Sequence, residues 1–211
     1  MPFDFKVQKI NENSIEETAK LVVSEFNARE PIAQLNASNS NDFLEYTLGV
    51  CRRCADEGLG FIARDVQSNK IIGAALSADL AYSVNAKPPE DDEDPNPVAT
   101  LIDSLNSLYF TNGELAENTY LNIKFIAADA SFKGKGVVMD LITACIGEAK
   151  SKGFEYAQAE ATGNVSQYIF TNRFGFEEKA IIKYSEFEFD GETPFSSITE
   201  HAGIKLLIKS I

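Results

Sequence analysis

The sequence predicts an α/β (α+β) domain of three layers, a central mixed sheet with helices on both faces. Apolar residues alternate in several short segments and recur at helical spacing in others. A strand–helix–strand unit occupies the middle of the chain, from Thr119 to Thr162, and hairpin-like strand pairs flank it. With 211 residues, 44% of them hydrophobic, the chain can fill one substantial core, so residues 1–211 are read as a single domain.

In chain order, "FKVQKI" alternates and reads as a strand. Ser14-Ile15-Glu16-Glu17 has the spacing of a capping box, which predicts a first helix from about Ile15 to Asn27. "REPIAQLNASNSND" breaks that pattern, and Asn41 or Asp42 can cap a second helix through "FLEYTLGVCRRCADEG". "LGFIARDV", "QSNK" and "IIGAALSADL" read as strand, turn and strand. "NAKPPEDDEDPNP" is too rich in proline and acid for a core strand or a helix interior and is expected to be a mobile loop. Pro97 opens a short helix, "PVATLIDSLNSLYF". Then follow the strand "TYLNIKFIAA", a glycine loop, the helix "VVMDLITACIGEAKSKG", the strand "EYAQAEAT" and the helix "VSQYIFTNRFG". Two strands, "AIIKYSEFEF" and "AGIKLLIKSI", close the chain.

Charge and composition narrow the function. Lys and Arg number 19 against 32 Asp and Glu, a formal net charge of −13. That balance argues against non-specific nucleic-acid binding and suits a cationic small molecule. No apolar run approaches the roughly 20 residues of a membrane span, and "MPFDFKVQKI" lacks the apolar core of a signal peptide. The expectation is a soluble, cytoplasmic protein that binds neither membrane nor nucleic acid, as a monomer or homodimer. Cys51, Cys54 and Cys145 are too few and too oddly spaced for a disulfide framework, and a lone CxxC within a helical pattern lacks the second pair that would complete a zinc site. No metal is expected.

The stretch "SFKGKGVVMDL" joins a strand to a helix. Glycines there let the backbone approach an anion, N–H groups at the helix start would face it, and Lys133 and Lys135 would add charge. It is neither a GxxxxGK[ST] loop nor a GxGxxG fingerprint. Taken alone, it fits a phosphate cradle or a glycine turn with solubilising lysines equally.

In context the chain resembles the GNAT superfamily of acetyl-CoA-dependent N-acetyltransferases, whose signature is a strand followed by [RQ]-x-x-G-x-[GA] and a helix. Here the strand is "LNIKFIAA" and the loop Lys133-Gly134-Lys135-Gly136-Val137-Val138. Lysine replaces the usual Arg or Gln, and Val138 stands where Gly or Ala is normal, which bears on cofactor fit. "NVSQYIFTNRFGF" looks like the second superfamily motif, with Phe170 where many members carry a tyrosine that protonates the leaving thiolate. A narrower likeness covers residues from about 15 onward: Glu30-Pro31-Ile32 after the first helix, "ATGNVSQYIF", and a tail with Phe187, Gly191, Phe195 and His201 resemble the insect, dopamine-acetylating arylalkylamine N-acetyltransferases.

The resemblance implies a GNAT fold and acetyl-CoA as co-substrate. It would be bound by Ile126, Ala127 and Ala128 of the strand, Lys133, Gly134, Lys135, Gly136, Val137 and Val138 of the loop, and Asn164 and Phe170 downstream. It further implies N-acetylation of a small primary amine, arylalkylamine-like, by direct attack. An alkylamine is mostly protonated at neutral pH, so the reaction needs a general base. The resemblance assigns that role to Glu30, with Thr162 and Ser166 as accompanying hydroxyls. By composition alone Glu30 is a surface loop glutamate, and the two hydroxyls are ordinary capping residues. His201 is expected to order the tail, and Glu90 to Asp94 to be a solvated charge run or a gate that draws amines. Alternatives are a non-catalytic acyl-CoA-binding module, or transfer to a polyamine, a peptide N-terminus or an aminoglycoside.

Overall fold

The expected alternation of strands and helices is realised in the computed structural model of the chain, which describes residues 4–35, 40–85, 96–111 and 114–211. The acidic stretch Glu90 to Asp94 lies outside them. The strands are β1 (Phe5–Lys9), β2 (Phe61–Asp65), β3 (Ile71–Asp79), β4 (Tyr120–Ala128), β5 (Tyr156–Ala161), β6 (Glu177–Lys183) and β7 (Gly203–Ser210). The helices are α1 (Ile15–Arg29), α2 (Pro31–Leu35), α3 (Ser40–Glu57), α4 (Leu80–Asn85), α5 (Pro97–Ser107), α6 (Val137–Ser151) and α7 (Asn164–Tyr168). A π turn, Ile169–Arg173, continues α7.

One seven-stranded sheet runs in the order β1-β2-β3-β4-β5-β7-β6. The β4–β5 pair is parallel and the other pairs are antiparallel. The sequence predicts a mixed sheet, and the one observed is mostly antiparallel. Helix α6 places Val137, Leu141, Ile142, Cys145, Ile146 and Ala149 on one stripe and buries it against one sheet face with Phe170 and Phe176. The opposite face is covered by Ile15, Ala19 and Val22 of α1 and Cys51 and Cys54 of α3, and, over β6 and β7, by Leu101 and Leu105 of α5. Gly73 on β3 lies beneath the start of α6, where an added methyl would meet Val137 Cγ1 at 2.6 Å and Leu141 Cδ1 at 3.1 Å. Gly73→Ala is therefore expected to lift the first turn of α6 and lower stability by about 1–3 kcal/mol, read from the urea midpoint.

Several local expectations give way to tertiary contacts. The Ser14…Glu17 capping box does not form. Ser14 instead closes a box with Asn11 one turn earlier, while the Glu17 carboxylate accepts the Ile71 amide at 2.8 Å and so ties α1 to β3. Helix α1 runs on to Arg29, and α3 begins at Ser40, ahead of both expected caps. Helices α2 and α4 fall in stretches with no periodic apolar signal. "AIIKYSEFEF" is a strand only to Lys183; beyond it Tyr184, Phe187 and Phe195 turn in under α5, because that buries three rings that a straight strand would expose on alternate faces.

Two features of β4 shape the site. It pairs with β5 only over Tyr120–Asn122 against Tyr156–Gln158, yet continues to Ala128 beside β3, as β5 continues to Ala161 beside β7. Beyond Asn122 and Gln158 the two strands part, leaving the β5-side edge of residues 123–128 without a ladder partner among the described residues. Leu76 pairs with Phe125 and the next residue, Ser77, with Ile123, so Lys124 is an extra residue, a β-bulge at the point of separation.

Candidate active site

The unpaired edge of β4 lines a crevice that opens toward the C-terminal ends of β4 and β5. Edge amides and carbonyls of this kind accept an added extended chain. At the β4 end, Asp129 Oδ1 accepts from the Ser131 amide at 2.8 Å and the Ser131 hydroxyl at 2.6 Å, bonds that hold its carboxyl below the usual aspartate range, with Arg29 and Lys70 adding to the effect. Gly134 (φ 77°) and Gly136 (φ 86°) then take left-handed conformations that glycine alone adopts freely. A methyl at either would meet nothing within 4 Å, so the turn faces open space. Helix α6 starts at Val137, and the amides of its first turn have no intrahelical carbonyl. Lys133 and Lys135 are exposed beside them. The branched side chain of Val138 packs, partly buried, against the core cluster beneath α6. These groups suit the pyrophosphate and pantetheine of acetyl-CoA: an open glycine turn, free helix amides, cationic side chains and an unpaired strand edge.

The end of α1 spans the crevice mouth. Glu30 leaves the helix with extended backbone, its N–H donating to Phe26 O at 2.8 Å. Its Oε2 accepts from the Ala33 amide and so caps α2, while Oε1 is buried and has no partner among the described residues. On one side Arg29 Nη2, ion-paired with Glu25, donates to Ala128 O at 2.6 Å, at the end of β4. On the other, Pro31 abuts the end of β5: a methyl on Gly163 would lie 3.6 Å from Pro31 Cδ. An unpartnered carboxylate oxygen thus stands between the parted strand ends. Burying it without a hydrogen bond is unfavourable unless a ligand supplies one.

Around the β5 end a network fixes the remaining candidates. Tyr184 Oη donates to Thr162 O at 2.7 Å; burial, with the Glu30 charge adding, pushes this phenol's pKa up. Ser166 Oγ donates to Gly163 O at 2.8 Å. Gln167 Nε2 bridges Ala161 O (3.0 Å) and Gly203 O (2.8 Å). His201 Nδ1 accepts from the Asn164 amide at 3.1 Å, and Asn164 Nδ2 donates to Glu200 O at 2.9 Å, so the histidine does order the tail against α7. Glu30, Thr162, Ser166 and Asn164 come together here, and Ile126, Ala127, Ala128 and the loop from Lys133 to Val138 line the β4 side. Phe170 stands apart. It is 4% exposed, against Phe176 with ring centroids 5.0 Å apart, in the core beneath the crevice. Arg29 and Tyr184 were not singled out from sequence; the arginine next to Glu30 was a usable signal, the tyrosine offered none. All three cysteines are buried, and burial pushes the Cys51 and Cys145 thiols up to about 12, away from nucleophilic use.

No protein-family model matches the sequence. Solved structures do. The C-terminal condensation domain of Ebony, in complex with β-alanyl-dopamine, superposes with a TM-score of 0.83 at 14% identity over 100% of both chains. Arylalkylamine N-acetyltransferase 2 from Aedes aegypti gives 0.76 at 20% identity over 99% of each chain. Drosophila melanogaster polyamine N-acetyltransferase, an enzyme that catalyses the formation of N-acetylagmatine, gives 0.78 at 13% identity over 99% of this chain and 100% of its own. At these identities the likeness is one of fold. The chain has the GNAT fold, in the form shared by the insect arylalkylamine N-acetyltransferases.

Proposed function

We propose that the protein is an N-acetyltransferase that moves the acetyl group of acetyl-CoA onto a small primary amine. One observation carries this reading: the Oε1 of Glu30, buried and without a partner among the described residues, at the mouth of the crevice between β4 and β5, across from the left-handed glycine turn at Gly134 and Gly136. Acetyl-CoA supplies the acetyl group as an activated thioester. Backbone amides on the β4 edge, within Ile126 to Ala128, align the donor and polarise the thioester carbonyl as negative charge develops on its oxygen. Gly134, Gly136 and the α6 amides, with Lys133 and Lys135, hold the diphosphate. Glu30 removes the amine proton, directly or through water, so that the nitrogen lone pair can attack the carbonyl carbon; the C–N bond forms and the C–S bond breaks. The Thr162 hydroxyl donates a proton to the leaving sulfur, or Ser166 passes one along by exchanging its bond to Gly163 O. With Phe170 buried and without a hydroxyl, that proton must come from such a group or from water.

A coupled assay of free CoA release across arylalkylamines, polyamines and amino acids tests the reading. Turnover with at least one primary amine is expected. Tight acetyl-CoA binding without CoA release from any amine would leave a non-catalytic acyl-CoA-binding module in its place.

A further inference from the structure

A cavity of about 470 Å³ lies between α3, β3, α4 and β4, at the level of the β4 bulge. Its lining includes Tyr46, Arg53, Leu76, Ser83, Asn122 and Lys124. Arg53 is held at one edge: Nε donates to Glu57 Oε1 at 2.7 Å, and the guanidinium lies 4.7 Å from the centre of the Tyr82 ring. That arrangement leaves Nη2 buried and without a partner among the described residues. Lys124, presented on this face by the bulge, stands 5.5 Å from the centre of the Tyr46 ring and forms no ion pair with a described carboxylate. Burial works against its charge, yet Tyr46 and Glu160 together raise its pKa, so it stays a cation. The nearby carboxylates are engaged elsewhere or at the rim. Glu57 takes Arg53 Nε and the Asp79 amide, Glu160 takes the Asn106 and Gln158 amides, and Glu45 is exposed. Asn122 adds an amide whose oxygen has no partner among the described residues and which can turn to offer its NH₂.

A cavity with two cations, one an orphaned buried donor, asks for an anion. We propose that this cavity is a carboxylate-binding subsite, in which Arg53 Nη2 and Lys124 Nζ hold the carboxylate of a small ligand while Tyr46 and Leu76 contact its apolar body. Resting on the acetyltransferase reading above, the subsite makes the acceptor an amino-acid-like primary amine and disfavours di- and polycationic amines, which would bring positive charge against Arg53 and Lys124.

Tyrosine and tyramine share a ring and a primary amine and differ by the carboxylate, so calorimetric titration of the full chain with each, without a thioester, isolates the subsite. Tyrosine is expected to bind roughly ten- to hundredfold tighter than tyramine, as a charge-assisted pair implies. Lys124→Met and Arg53→Gln should each erase most of that preference, and Lys124→Arg should keep it, with unfolding midpoints confirming that each variant folds. Equal or tighter binding of tyramine to the parent protein overturns the proposal. So does a preference that survives both neutral substitutions, or one lost as fully in Lys124→Arg as in Lys124→Met. Because no donor is present, failure of acetyl transfer defeats the functional reading alone and leaves this result to stand or fall by itself.

Discussion

Glu30→Gln is expected to slow acetyl transfer by at least about a hundredfold while leaving acetyl-CoA affinity unchanged, the loss that removal of a positioned general base produces. Glutamine keeps an acceptor for the Ala33 amide, so the cap on α2 and the course of the chain across the crevice mouth survive. What disappears is the capacity to take a proton at the buried oxygen. The pH dependence makes the test specific: as pH rises toward the amine's own pKa, near 10 for an alkylamine, more acceptor arrives already neutral and the variant gains on the parent enzyme. CoA release measured from neutral to alkaline pH, with donor affinity taken by calorimetry, gives both readouts. A variant within about threefold of the parent at neutral pH would remove Glu30 from the chemistry, since effects that small lie below general-base contributions.

Gly203→Ala should be the most damaging of the small substitutions for stability, with a loss of about 3 kcal/mol or more, because two backbones rather than flexible side chains would have to separate. Gly203 opens β7 opposite Lys183 of β6, and an added methyl would be driven into the Ile182 carbonyl oxygen and lie 2.8 Å from Lys183 Cα. Its carbonyl also receives Gln167 Nε2, which joins the ends of β5 and β7. The displaced strand would therefore disturb the network behind Thr162 and Gly163 as well as the β6–β7 ladder. A large fall in the urea midpoint, accompanied by loss of transfer activity, is expected; an unchanged midpoint would show that the strands can part at little cost.

The acetyl-transfer reading draws unequally on what the residues declare locally and on what their packing creates. The helical stripe of α6, the Pro97 start of α5, and the strand, glycine turn and helix around Gly134 and Gly136 all follow from spacing and from residue types with narrow backbone preferences. They were legible because each depends on neighbours within a few positions. The tail was only half legible. Tyr184, Phe187 and Phe195 look like strand residues by composition, and only the apolar surface of α5 and β7 explains why they turn inward. Likewise Ser14 and Glu17 have the right spacing for a cap, but Asn11 and the Ile71 amide offered each a better partner.

By itself the sequence determined the order of the strands and longer helices, the mixed sheet, the glycine turn between β4 and α6 and the acidic residue after the first helix, because periodicity, glycine and capping chemistry act over short distances. Tertiary structure decided the rest. It parted β4 from β5, set the bulge at Lys124, laid Arg29 on Ala128 and Pro31 against the Gly163 turn, and left one oxygen of Glu30 and one nitrogen of Arg53 buried without partners among the described residues. The physical reason is that a group's burial and its lack of a partner belong to elements far apart in the chain. No local pattern encodes a hydrogen bond that goes unmade.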